Sequence, residues 1–175
     1  METRNLADLY KLDELSWPGI TARLDAGLTL VPGSGGPDRH SCWLTTINPD
    51  GGPHVNGLGA LWVDGAFWFE TGERTRKGRN LARDPRCALS LATHDFDLTV
   101  EGTAELITDP AVVAEMAQRW AQDWPCRVDD SGVALTAEFS APSAGSPPWR
   151  IYRIRTTAAT AVGCVEPGGA TRWTF

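Results

Sequence analysis

Histidine, methionine and tyrosine are scarce in this chain: its 175 residues include three His, two Met and two Tyr. The histidines, His40, His54 and His94, share no HxxxH or HExxH spacing, so the pattern that sets two imidazoles on one helix face against a metal is missing. No metal site is expected. The four cysteines, Cys42, Cys87, Cys126 and Cys164, stand far apart with no CxxC pair. That argues against a zinc ribbon or a redox dithiol and predicts reduced, mostly buried thiols. No GxSxG elbow is present, and Ser34 and Ser146 fall in runs rich in glycine and proline, which hold a strained nucleophile poorly. Long apolar runs are missing too. Residues 1–15 are interrupted by Glu2, Arg4, Asp8, Lys11, Asp13 and Glu14, so neither a secretory segment nor a bilayer span is expected, and the chain reads as cytoplasmic with no membrane partner.

What is present is enough for one sizeable core. Apolar residues make up 42% of the chain, and the length suits a single domain over residues 1–175. A formal net charge of −6 does not suit nucleic acid or an anionic membrane. The expected partners are therefore small molecules or a second copy of the chain. Eight tryptophans are many for this length; they read as core or interface residues, or as walls of a pocket for a flat ring.

Periodicity predicts mostly strands. Leu6, Leu9, Tyr10, Leu12 and Leu15 recur near helical spacing and predict a helix over residues 5–15, lying across a sheet. Residues 32–38, rich in Gly and Pro, are a loop without function. Residues 42–47 read as a strand closed by Asn48-Pro49-Asp50-Gly51-Gly52. A second strand over 55–63 turns at Asp64-Gly65 into a third over 66–71. A helix over 76–83 stops at Asp84-Pro85, and strands follow over 87–93 and 98–107. Asp109-Pro110 caps a helix whose Val112, Val113, Met116, Trp120 and Trp124 recur every three or four residues. After a loop over 141–148, strands are expected over 149–154, 158–164 and 171–175. Short strands joined by tight turns, with two or three helices, point to an antiparallel barrel.

The chemistry concentrates in one place. Arg74, Arg76, Lys77, Arg79, Arg83 and Arg86 fall within thirteen consecutive positions of an otherwise acidic chain. Thr75-Arg76-Lys77 sits where a strand gives way to a helix, and a helix N-terminus offers free N–H groups to a phosphate, with hydroxyl, guanidinium and ammonium donors to complete the cradle. The alternative is a solvated helix face whose arginines pair with Glu70, Glu73 and Asp84.

The runs Phe67-Trp68-Phe69-Glu70-Thr71, Thr75-Arg76-Lys77-Gly78, Asn80-Leu81 and Asp84-Pro85-Arg86 together resemble the signature of pyridoxamine 5′-phosphate oxidase-like split-barrel proteins. The strand ending Val100-Glu101-Gly102-Thr103-Ala104-Glu105-Leu106 and the Ala170-Thr171-Arg172-Trp173 ending are similar to it as well. The resemblance implies a mainly β fold: a six-stranded, antiparallel, Greek-key-like split barrel with peripheral helices, working as a homodimer with cofactor sites at the interface. It also implies a flavin- or deazaflavin-dependent oxidoreductase. Thr71, Thr75, Arg76 and Lys77 would hold the phosphate of FMN or of the deazaflavin coenzyme F420, with NAD(P)H as electron donor in the FMN case. Residues 53–62 would line the ring, with Asn56, Glu70 and Asp97 as tuning groups, and Trp173 would reach the partner's cofactor or else anchor the last strand. Where the namesake oxidase has basic residues, this chain has Val55-Asn56-Gly57-Leu58-Gly59-Ala60, so oxidation of pyridoxamine 5′-phosphate itself is not expected. The competing reading is a non-catalytic flavin- or haem-binding protein for storage or sensing.

Overall fold

Asp64 and Gly65 set the scale of the architecture. Both take the left-handed conformation, φ 50° and 73°, which closes a two-residue hairpin with the twist that its flanking strands need. The computed structural model describes residues 1–28 and 40–175; the loop expected over 32–38 lies outside the described residues.

In chain order the elements are β1 (Glu2–Asn5), a single 3-10 turn (Asp8–Tyr10), α1 (Trp17–Asp25), β2 (Cys42–Ile47), β3 (Pro53–Leu58), β4 (Leu61–Val63) and β5 (Ala66–Gly72). They continue through α2 (Arg76–Arg83), β6 (Arg86–Ala92), β7 (Phe96–Leu106), α3 (Pro110–Trp120), β8 (Arg127–Val128), β9 (Leu135–Thr136), β10 (Trp149–Gly163) and β11 (Ala170–Thr174). All pairings between these strands are antiparallel. Starting from β6, the circuit runs through β2 to β3, along the chain into β4, across to β5, then β10, β7 and back to β6. With β3 and β4 counted as one interrupted strand, six strands surround the core. The fold is the split barrel that the family resemblance implies.

Four expectations change. The helix over 5–15 does not form: residues 2–5 pair with β11, Leu9 and Tyr10 are exposed, and the first helix begins at Trp17, capped by Ser16 with Pro18 in its first turn. Spacing alone misled there: Leu15 packs against the core and Leu12 is half-buried, whereas Leu6, Leu9 and Tyr10 have no surface to cover. The strand expected over 55–63 breaks at Gly59-Ala60, where the chain leaves β2 and joins β5. The two strands expected over 149–164 are one fifteen-residue strand, with a bulge between Thr156 and Ala158 opposite β7. The third helix ends at Trp120, not at Trp124, and the β8–β9 hairpin was not foreseen.

Every residue of β5 is buried, because both faces of this strand are covered. Phe67 and Phe69 point into the barrel with Leu44, Leu89, Val100 and Ile154. Trp68 joins a second cluster with Met116 and Trp120 of α3 and Trp149 and Ile151 of β10. Alternation along a strand thus sends β5 side chains into two separate cores. Of the cysteines, Cys42 and Cys87 are buried, Cys126 half-buried and Cys164 exposed, all as free thiols.

The cap of α3 is the one the sequence predicts: Asp109 Oδ1 accepts from the Ala111 N–H at 2.9 Å. Asp109→Ala is expected to cost about 1 kcal/mol. In urea titration this lowers the midpoint and leaves the slope unchanged.

Candidate cofactor site

β5 delivers the chain to Gly72, the turn Glu73-Arg74-Thr75 reverses it, and α2 opens at Arg76. Thr75 has the extended backbone of an N-cap, and its hydroxyl oxygen accepts from the Gly78 N–H at 3.0 Å. The same hydroxyl donates to the Gly72 carbonyl at 2.9 Å and meets the Thr71 hydroxyl at 2.9 Å. With its single proton on Gly72, Thr75 receives the proton of Thr71, so both hydroxyls are used in building the turn. The Arg79 N–H bonds the Thr75 carbonyl, which leaves the N–H groups of Arg76 and Lys77, at the first two helical positions, without an intrahelical acceptor.

The cationic run divides in two. Arg74, Arg76 and Arg79 are exposed, whereas Lys77 is only 2% exposed. Arg79 donates to the Arg74 carbonyl, Arg83 to the Ile47 carbonyl, and Arg86 grips Asp84 at 2.6 Å. Three of the six cations are therefore committed to local structure, one of them to the partner that the solvated-face reading names. Glu73 pairs with Arg150 at 3.3 Å. The Lys77 ammonium donates to the Ser143 carbonyl in the segment that crosses this end of the molecule, and the next carbonyl, of Ala144, accepts from the Gly72 N–H at 2.9 Å. Between that segment and the turn lies a cavity of about 440 Å³, lined by Gly72, Glu73, Arg74 and Thr75 on one side and residues 145–148 on the other.

Two groups are coupled to the run by charge: His54, which the sequence did not connect with it, and Glu70, which the sequence already set beside it. His54 of β3 has its pKa lowered by burial and by the charges of Arg76 and Lys77. Glu70 of β5 is buried, and burial pushes its carboxyl up to about 8 against the opposing pull of its own backbone N–H and of Lys77. The same burial lowers the Lys77 pKa, with Glu70 acting the other way.

Asn56, on β3, has its Oδ1 buried with no hydrogen-bond donor among the described residues, while its Nδ2 donates to the Gly57 carbonyl at 3.0 Å. A buried acceptor left in this state is uncommon in a folded chain. Trp173 sits in the barrel core on β11, 1% exposed, with its ring 5.2 Å from that of Trp17. Asp97 is exposed at the start of β7, on a shallow groove with Trp43 and His40. Among the described residues no group of three His, Cys, Asp or Glu side chains is placed to hold a metal ion. No described helix is long and apolar enough to cross a membrane.

A family profile described as pyridoxamine 5′-phosphate oxidase matches residues 36–161, most of the chain. The chain belongs to that family. Solved structures agree on the fold of this pyridoxamine 5′-phosphate oxidase-like chain. A putative pyridoxamine 5′-phosphate oxidase from Listeria innocua aligns with a TM-score of 0.54 at 16% identity, covering 81% of this chain and 94% of that one. PhzG from Burkholderia lata, solved with tetrahydrophenazine-1-carboxylic acid, gives 0.58 at 15% identity over 90% and 84%. A haem binding protein from Mycobacterium smegmatis gives 0.58 at 16% identity over 91% and 59%. No curated protein matches the sequence.

Proposed function

We propose that the chain is an oxidoreductase that binds a phosphorylated flavin-type coenzyme, FMN or the deazaflavin F420, and moves hydride to or from a small organic molecule. One observation carries the reading: the N–H groups of Arg76 and Lys77 lack an intrahelical acceptor and Arg76 is exposed, directly after a turn over residues 72–75 that lines a cavity of about 440 Å³, while the orphaned acceptor Asn56 Oδ1 lies on β3. The donor set suits a phosphoryl group, since it combines a helix N-terminus with a guanidinium. Asn56 Oδ1 suits a ring N–H.

The coenzyme, when bound, supplies the hydride chemistry, and the protein supplies binding, orientation and exclusion of water. In this reading Arg76 and the N-terminus of α2 hold the phosphate, Asn56 orients the ring, and Lys77 keeps the turn tied to Ser143. NAD(P)H serves as electron donor if the coenzyme is FMN. A second copy completes the site by packing on the β2–β3 face, where Trp43 and Val55 are exposed.

The absorbance spectrum of the freshly purified protein tests this directly. A flavin or deazaflavin band is expected, or saturable uptake of one of the two when each is titrated in. A Soret band instead, with no uptake of either coenzyme, overturns the proposal in favour of haem binding, the property named for the M. smegmatis protein of the same fold.

A further inference from the structure

On the outer face of β5, away from Thr71, lies a second cavity of about 190 Å³, walled by Trp120, Trp124, Phe139, Pro142 and Ser143, with Glu70 at its lining. Glu70 and Thr71 are consecutive in a strand and so face opposite sides of the sheet. The aromatic wall is well fixed. Trp120 is 1% exposed, the Trp124 N–H bonds the Trp120 carbonyl at 2.8 Å, and the Trp124 ring lies 4.7 Å from Trp149 and 5.6 Å from Phe139.

The chemistry of the occupant follows from size, shape and charge. An apolar cavity of roughly 150 Å³ holds benzene, and sites for drug-sized molecules begin at about 300 Å³, so one ring or two fused rings fit here. Rings on the walls favour a planar molecule, through stacking and edge contacts. The Glu70 carboxyl takes part in no ion pair or side-chain hydrogen bond among the described residues; its one partner is its own backbone N–H. Glu70 is 7% exposed and lines the cavity, so a ligand that bonds its carboxyl supplies partners that the protein does not. Charged ligands are disfavoured: the apolar aromatic walls offer them no solvation, and a cation also meets the charge of nearby Lys77.

We propose that this cavity binds a small, neutral, planar heteroaromatic molecule of one or two fused rings that presents an N–H donor beside a ring-nitrogen acceptor to the Glu70 carboxyl. The two-point contact needs the acid in its neutral form, O–H donating to the ring nitrogen and C=O accepting from the N–H. Burial supplies that form, since the carboxyl titrates at about 8. The titratable groups facing it are Lys77 from α2 and the Cys126 thiol from the segment after α3, whose own pKa is raised by burial and by Glu70. Ile151, its cross-strand neighbour on β10, is apolar. The cavity shares Ser143 with the tie that fixes Lys77 of the proposed coenzyme cradle, but its test needs no coenzyme.

Calorimetric titration with 7-azaindole, indole and indene separates the contributions, because these bicycles share a shape and carry donor plus acceptor, donor alone, and neither. The intact protein is expected to bind 7-azaindole at least about tenfold more tightly than indole, a preference worth one unit in log Kd. Glu70→Leu is expected to abolish that preference while still binding indole. The preference is also expected to fade as pH rises through about 8, where the neutral acid is lost. Glu70→Gln, whose amide offers donor and acceptor at every pH, is expected to keep the preference and lose its pH dependence, and it decides the matter if Glu70→Leu does not fold. Equal binding of the three bicycles, binding of none, or a preference that survives in Glu70→Leu overturns the proposal.

Discussion

Replacing Arg76 and Lys77 together with alanine is expected to lower affinity for FMN or F420 by at least about a hundredfold, measured by calorimetry or fluorescence. Hydrogen bonds to charged groups each contribute about 1.5–3 kcal/mol, and a tenfold change in Kd is about 1.4 kcal/mol. The Arg76 contact therefore accounts for about one to two decades, and loss of the Lys77 tie that holds the turn to Ser143 supplies the rest. The single variants divide the effect unequally. Arg76 is exposed, so Arg76→Ala removes a phosphate contact and leaves the thermal midpoint where it was. Lys77 is buried and tied to the Ser143 carbonyl, so Lys77→Ala also unties the segment that roofs the turn and removes the cation that opposes the rise of the Glu70 pKa. Weaker coenzyme binding with a lowered melting temperature is the expected signature of that variant. Unchanged affinity in the double variant would falsify the cradle, because the helix N–H groups would then be holding the phosphate alone or not at all.

How much of this was readable in advance depends on whether a signal is local. The Asp64-Gly65 hairpin, the α2 boundaries at Arg76 and Arg83 and the Asp109 cap are set by turn chemistry and capping within a few residues, and the structure has them where the sequence predicts. The 5–15 helix failed because apolar spacing says nothing about whether a covering surface exists; residues 2–5 had β11, more than 160 positions away, as their partner. The split of β3 from β4 failed for a related reason, since a strand that serves two neighbours carries no period of its own. At the site, the cationic run was plain in sequence, but its division was not. Whether a lysine faces solvent or a carbonyl depends here on Ser143, 66 residues away. The tryptophans show the same limit: Trp120, Trp149 and Trp173 are core, Trp43 is half exposed, and composition treats them alike. Glu70 and Trp124 meet only because α3 and the segment after it fold over the outer face of β5.

Gly78→Ala is expected to damage fold and cradle together. Gly78 occupies the third position of α2, and a Cβ there would overlap the Gly72 carbonyl oxygen and stand 3.1 Å from both the Cα and the carbonyl oxygen of Glu73. All three are backbone atoms of the turn, so no side chain can swing aside to relieve the contact. In an open helix the same change would be favourable by roughly 0.5–1 kcal/mol, through alanine's better propensity. Here helix and turn must separate, which strains the Thr75 bonds to the Gly78 N–H and the Gly72 carbonyl. Overpacking against fixed atoms costs typically 1–3 kcal/mol, and a lost cap adds about 1 kcal/mol. A net loss of about 2–4 kcal/mol is therefore expected in urea unfolding. Because the displaced atoms include the N–H groups offered to the phosphate, coenzyme affinity should fall in the same variant even where enough folded protein remains to measure it. Gly52→Ala is the control: a Cβ at Gly52 would meet only the Asp50 side chain, at 3.1 Å, and should leave coenzyme binding unchanged. If Gly78→Ala proves neutral, the close approach of α2 to the end of β5 is wrong, and the cradle that depends on it loses its geometry.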